Sequence, residues 1–195
     1  MHYKPVKKIK LILEQSWRLK EQARVTDEYF TELTFEYRLF DNFDLAFGAR
    51  YIKENDNVGK IQGYEDHFRY QIDASYSADV GQLDVGLRVR YQNKNELGIS
   101  EALGDIPSEN LRFRTSFTYK IKNWPLDPEA SVELFNRFQD GRNLTFNKLR
   151  FTVGTSYEIK KIGKFEIYYR YETNDNTFNL EQLDVLGLGY VYKIN

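Results

Sequence analysis

The chain has 195 residues, a formal net charge of −1 and no cysteine. That length suits one domain with a sizeable core or a closed barrel. Disulfides, thiolate nucleophiles and Cys-ligated metals are excluded, and the near-neutral charge argues against nucleic acid as a general partner.

Aromatic residues make up 16% of the chain and charged residues 29%. So many large rings beside so many charges call for a surface that is apolar over one band and polar elsewhere. The mean hydropathy is −0.65, and no apolar run approaches the roughly 18 residues of a transmembrane helix. Strands that interleave polar and apolar residues average out on such a scale, so a barrel stays open.

Residues 1–7 read as a tail, and the barrel is expected from residue 8 to residue 195. The start, Met-His-Tyr-Lys-Pro-Val-Lys-Lys-Ile-Lys-Leu-Ile-Leu, resembles a leader only briefly. Lys10 interrupts its apolar run, Glu14 ends it, and no small-residue cleavage site follows. A secretion signal is therefore expected to have been removed or to lie outside this sequence.

From Lys8 to Lys20, Leu11, Leu13, Trp17 and Leu19 alternate with Glu14, Ser16 and Arg18. That period of two predicts a strand with one apolar and one polar face. The pattern recurs at Glu28–Leu39, Phe43–Lys53 and around Phe68–Tyr76, with Phe35, Tyr37, Phe47, Tyr51 and Ile72 on the apolar side. It recurs again from Leu83 to Tyr91 and from Leu111 to Ile121. A seventh strand, about Pro128 to Leu134, is followed by Phe135, which breaks the alternation. The clearest hairpin runs from Lys148 to Tyr171, and Leu186, Leu188, Tyr190, Tyr192 and Ile194 form the apolar side of the last strand.

These segments predict an all-β fold, a transmembrane up-and-down antiparallel β-barrel of about ten strands. Each strand of ten to twelve residues suits a tilted bilayer crossing of roughly 9–11. Long polar connections are expected near 21–27, 54–63, 93–109, 139–145 and 175–181, and tight turns at Phe40–Asn42, Asp79–Gln82, Asn123–Pro125 and Lys160–Lys164. Long connections at one end and tight ones at the other are the habit of outer-membrane barrels. Rings near strand ends, such as Trp17, Tyr51, Tyr119, Trp124 and Tyr157, would form interfacial girdles.

The inward face is where chemistry would sit. A basic wall is expected from Arg50, His67, Arg69, Arg88, Arg90, Arg112, Arg114 and Lys120. An acidic wall is expected from Glu14, Glu28, Glu32, Glu36, Glu129, Glu133, Glu158, Glu166 and Glu172. Long side chains from opposite walls of a narrow barrel would neutralise one another. The sharper alternative is an arginine track for acidic solutes, since the planar guanidinium matches a carboxylate.

Catalysis is not expected: His67 has no spacing that couples it to Ser75 or Ser116 as base and nucleophile. The Asn-Asp-Asn runs at Asn55 and Asn174 read as polar loops, so no metal or other cofactor is expected. Asn143-Leu144-Thr145 matches a glycosylation sequon of no consequence in a bacterium, and Gly187-Leu188-Gly189 lies inside a strand and is no phosphate loop.

Four segments carry a family likeness: Glu133-Leu134-Phe135, Lys148-Leu149-Arg150-Phe151, Tyr168-Tyr169-Arg170, and the run from Val185 through Gly187, Gly189 and Tyr190 to Lys193. They resemble a family of small Gram-negative outer-membrane barrels catalogued as a domain of unknown function. The resemblance implies a barrel in the outer membrane and transfers no catalytic residue. Gly187, Tyr190 and Tyr192 are similar to the terminal signal read by the barrel-assembly machinery, which with outer-membrane lipid would be a partner. The expected role is structural or that of a narrow conduit, without enzymatic activity. A selective channel for acidic solutes and a soluble lipid-binding barrel are the alternatives.

Overall fold

The computed structural model describes residues 1–56, 63–99, 107–139, 143–159, 162–176 and 179–194. Its regular elements are all strands: β1 (His2–Val6), β2 (Ile9–Lys20), β3 (Val25–Phe40), β4 (Phe43–Asp56), β5 (Gly63–Val80), β6 (Leu83–Glu96), β7 (Ser108–Tyr119), β8 (Leu126–Gln139), β9 (Asn143–Ile159), β10 (Gly163–Asn176), β11 (Asn179–Val191) and β12 (Lys193–Ile194). Consecutive strands from β1 to β11 pair antiparallel. β12 continues β11 beyond Tyr192 and pairs parallel with β1, His2 opposite Lys193 and Tyr3 opposite Ile194. The sheet thus comes round on itself as a nearly closed up-and-down barrel.

The ten strands read from the alternation correspond to β2–β11. The stretch taken as a tail supplies an additional strand: β1 hydrogen-bonds to β2 on one edge and to β12 on the other. Its sequence hides this, because Lys4 and Pro5 interrupt any alternation in so short a segment.

The side-chain period sorts residues as expected. Outward stand Leu33, Phe35, Phe47, Tyr51, Ile72, Leu87, Phe151, Val153 and Ile167, all exposed. Inward lie the buried charged and amide groups, together with Phe30, Ile52 and Phe135. Strand register is strongly specified by this sorting, because a one-residue slip would exchange the two faces.

The strands exceed the expected length: β3 has 16 residues, β5 has 18 and β9 has 17. Several stretches expected as loops are ladder instead. Asn93 faces both Tyr70 and Glu109, Asn55 faces Tyr64, and Asp175 faces Leu180. The apolar stripe stops before the backbone hydrogen bonding does, so polar neighbours continue to pair beyond it. This removes much of the expected contrast between the two ends, and the longest strands have residues to spare beyond a bilayer crossing. Parts of those expected loops and the Lys160-Lys161 turn lie outside the described residues, as do the side chains of Asn143 and of Asn174 to Asn176. The tight turn at Gly81 forms as expected, with φ of 67°.

Glycine shapes the inner wall near the last strand. Gly187 sits opposite Tyr168 in the β10–β11 ladder, and a Cβ there would overlap the Tyr168 ring. Gly187→Val should therefore lose about 1–3 kcal/mol from overpacking. A lower melting temperature of the compact, fast-migrating form in detergent gel electrophoresis would show it.

Candidate functional site

Three pairs of arginines stand directly opposite each other on neighbouring strands: Arg50 with Arg69, Arg88 with Arg114, and Arg90 with Arg112. Like charges in that position repel. Shared carboxylates resolve most of the conflict. Arg50 Nε donates to Glu32 Oε2 at 2.6 Å, and Arg69 Nη2 donates to the same oxygen at 2.9 Å. Gln71 is 1% exposed; its Nε2 donates to Glu32 Oε1, while its Oε1 accepts from Arg69 and Arg90. Arg90 forks Asp73 through Nε and Nη2, both at 2.7 Å.

Glu133, 3% exposed, organises the other half. Arg112 forks it through Nε at 3.2 Å and Nη2 at 2.8 Å, Arg88 donates at 2.8 Å and Arg150 at 3.3 Å. Arg150 and Lys148 also donate to Glu172, at 2.8 and 3.1 Å. Two buried rings cap the arginines. Arg50 lies 3.4 Å from the Phe30 centroid, and Arg112 and Arg150 lie 4.2 and 4.7 Å from that of Phe135. Such cation–π contacts strengthen when desolvated. The ring that breaks the alternation at Phe135 is therefore a part of the ionic belt.

The expected walls meet, but along the circumference rather than across the lumen. Glu32 and Arg50 are on adjacent strands, as are Glu133 and Arg112, and Glu133 reaches Arg88 two strands away. Adjacent strands are only about 4.8 Å apart, within reach of any arginine. Lys120 is not part of the lumen wall. It lies past the end of β7, half exposed, with Asp79 at 3.0 Å and Asp84 at 3.5 Å. The hydrogen bond to Asp79 holds its ammonium above the ordinary lysine range. Glu28 pairs with Arg18, Glu36 with Lys10, and Glu129 and Glu166 with Lys164. Glu14 lies 3.8 Å from Arg50, and Glu158 is exposed. His67 sits 3.6 Å from Glu54 and 3.5 Å from Glu65. Ser75 faces Arg88 across the ladder, while Ser116 is hydrogen-bonded to the Gly86 carbonyl at 3.4 Å, so neither is joined to His67. Gly187, Tyr190 and Tyr192 occupy the end of the last strand, with Tyr190 donating to the Ile162 carbonyl at 2.6 Å.

Glu172 was expected on the acidic wall, but its partners Lys148 and Arg150 and the capping rings were not among the sequence candidates. Their signal was present as inward parity in β9 and β10, and at Phe30 as an apolar residue on a polar face.

Below the belt the lumen is hollow. A cavity of about 750 Å³ lies against β7–β11, the start of β1 and the middle of β2. It exists because the inward positions there are small: Ser116, Ser131, Thr152, Gly154 and Gly189. Arg114 and Arg170 also line it. Among the described residues Arg114 makes no hydrogen bond or ion pair, and the Nε atoms of both arginines are buried without an acceptor.

Removing the carboxylate of Glu133 leaves Arg88 and Arg112 without their carboxylate partner, while Arg150 keeps Glu172. Glu133→Gln should cost about 3–5 kcal/mol, as for breaking a buried ion pair. Lys120→Ala, which breaks an exposed pair, should cost about 0–1 kcal/mol. Urea unfolding followed by tryptophan fluorescence in detergent compares the two.

A comparison with curated proteins finds no match. Residues 1–183 match the family described as "Protein of unknown function (DUF2490)". That match runs from β1 into the start of β11 and takes in the strands of the inner belt, and the chain belongs to the DUF2490 family.

Proposed function

We propose that this chain is a membrane-spanning barrel of a Gram-negative outer membrane, structural in role and closed to through-flow, with no catalytic activity. The observation that carries this reading is the opposition of its two faces. Leucine and aromatic side chains stand exposed around the outside, Phe47 at 51% and Leu33 at 55%, while Gln71, Glu32 and Glu133 are buried inside. Water as the outer solvent would leave the whole apolar surface of the barrel wet and seven ionic groups buried, which reverses the usual economy of soluble folds. A lipid exterior makes both choices favourable.

The soluble lipid-binding alternative requires the apolar face to point inward, and here it points outward. Conduction is disfavoured by the belt. Its members are bonded to one another around the lumen, and Phe30 and Phe135 fill part of the section. The expected partners are outer-membrane lipid and, during biogenesis, the barrel-assembly machinery acting on the end of β11.

Phe47→Arg separates the membrane from water as outer solvent. On a lipid-facing site it should cost about 2–4 kcal/mol near the midplane and reduce the amount of assembled barrel. On a water-facing site it should change stability by under about 0.5 kcal/mol. Fractionation of the expressed protein gives the direct measurement, with sedimentation in the outer-membrane fraction expected. Recovery as a monomer from detergent-free buffer would overturn the reading, and charge-selective single-channel current in planar bilayers would overturn the closed lumen.

A further inference from the structure

The barrel closes only at its base. β1 wedges between β2 and the β11–β12 strand, with His2 opposite both Ile12 and Lys193. The last backbone bonds on the β2 side join Met1 and Leu13, at 2.6 and 2.9 Å. Beyond them, among the described residues, no ladder joins β2 to β11. At its own level the wedge holds the two edges two strand spacings apart, about 9.6 Å, and above it they face each other across an unpaired slot.

Strand alternation decides what faces the slot. Leu13 directs its backbone groups towards β1, and so, two and four residues on, do Gln15 and Trp17. Tyr192 directs its carbonyl to His2, so Tyr190, Leu188 and Leu186 direct theirs the same way. These N–H and C=O groups have no strand partner. In hydrocarbon each would be costly, so the slot needs a polar occupant.

The slot opens into the cavity that Arg114 and Arg170 line, since Glu14, Gln15 and Ser16 on one edge and Leu188, Gly189 and Tyr190 on the other border both. The three carboxylates of that cavity are already engaged: Glu129 and Glu166 with Lys164, and Glu14 with Arg50. Glu172, 4.0 Å from Arg170, is shared with Arg150 and Lys148. The two guanidinia therefore keep donors to spare. Outside, beside Gly189, the surface is unusually bare. Leu186 and Leu188 are 75% and 83% exposed, and an apolar hollow of about 270 Å³ runs over Leu126, Tyr157, Phe165 and Ile167 to Leu188.

We propose that this cavity binds the head of an anionic phospholipid admitted sideways through the β2–β11 slot. The phosphate lies against Arg114 and Arg170, the glycerol region crosses the slot, and the acyl chains remain outside along β11. Planar guanidinium forks suit phosphate oxygens, and the ester and hydroxyl oxygens of the crossing region accept from the edge N–H groups. Ser116, Ser131 and Thr152 leave the volume for the head and offer hydroxyls to it. The inference rests on the membrane reading above.

Binding is tested by native mass spectrometry on the full chain in a nonionic detergent, with dihexanoyl phosphatidylglycerol, the matching phosphatidylcholine and inorganic phosphate as separate probes. The expected result is a one-to-one phosphatidylglycerol complex that Arg114→Gln with Arg170→Gln weakens at least about tenfold, a loss of roughly 1.4 kcal/mol, and that the double lysine variant partly restores. Among the described residues the Arg114 side chain bonds to no neighbour, so Arg114→Gln alone serves as a second variant should the double one fail to assemble, and it should weaken binding as well. Equal binding of all three probes, or of phosphatidylglycerol by wild type and variants alike, would overturn the site. Phosphate binding as tightly as the phospholipid would overturn the lipid as its ligand.

The sideways route has its own test. Ser16 and Gly189 lie four residues above Ile12 and Lys193, hence at one level of the two edges. In Ser16→Cys with Gly189→Cys, edges two spacings apart exceed the Cα separation of up to about 6.8 Å that a disulfide allows. A bis-maleimide about 10 Å long should bridge them and abolish phospholipid binding. Spontaneous disulfide formation in isolated outer membranes would mean directly paired edges and would overturn lateral entry. Outer-membrane fractionation of the same variants reports the membrane reading separately, since a failed site leaves sedimentation unchanged.

Discussion

Glutamate 133 is the contact on which the inner half of this barrel depends. It sits where β6, β7 and β9 all present arginines inward, and its two oxygens take hydrogen bonds from Arg88, Arg112 and Arg150. Without it, guanidinia opposite one another on paired strands would force the ladder apart or draw water into the belt. Glu32 does the same for Arg50 and Arg69 on the other side. The belt is therefore a circumferential chain of shared carboxylates. Gln71 and Gln92 serve as neutral links that accept from Arg90 and Arg112 without adding charge.

That arrangement divides the lumen into two unlike regions. At the level of the belt, long side chains and two buried rings occupy the section. Below it, Ser116, Ser131, Thr152, Gly154 and Gly189 leave room between longer side chains such as Glu129, Glu166 and Tyr168, and a cavity opens. A uniform salt-bridged plug would have needed long residues at both levels. The contrast separates an element that holds the strands together from a space that can receive something, and Arg114 belongs to the second by having no bond to the first.

Closure is the other place where the chain departs from a regular barrel. Ten long antiparallel strands would bring β2 and β11 together as neighbours of opposite direction. β1 enters between them at the base and makes the final pairing parallel. A wedge of five residues cannot line the full height of strands of 12 and 13 residues, so both edges run on unpaired above it. Exposed edges are ordinarily covered or blunted. Here the edge of β11 carries Leu186 and Leu188 outward and Gly187 and Gly189 inward, bare on both faces for different reasons.

Period-two alternation by itself determined the strand count of the long ladder and which residues share a face, because a side chain one position along a strand has no choice but the opposite face; the sheet's order and the outward direction of the apolar face belong to the folded sheet. It also exposed Arg50, Arg88, Arg112, Glu32 and Glu133 as inward groups. Alternation carries no information on what a side chain meets two strands away. Only the folded sheet decided that Glu133 serves Arg88 as well as Arg112, that Lys120 lies at a rim with Asp79, and that Phe135 caps guanidinia. The role of residues 2–6 was equally invisible, since a strand that short shows no period and gains its meaning from the two edges it separates. Polar ladder beyond the apolar stripe was missed for a related reason: backbone hydrogen bonds hold those ends together, and they leave no mark on side-chain pattern.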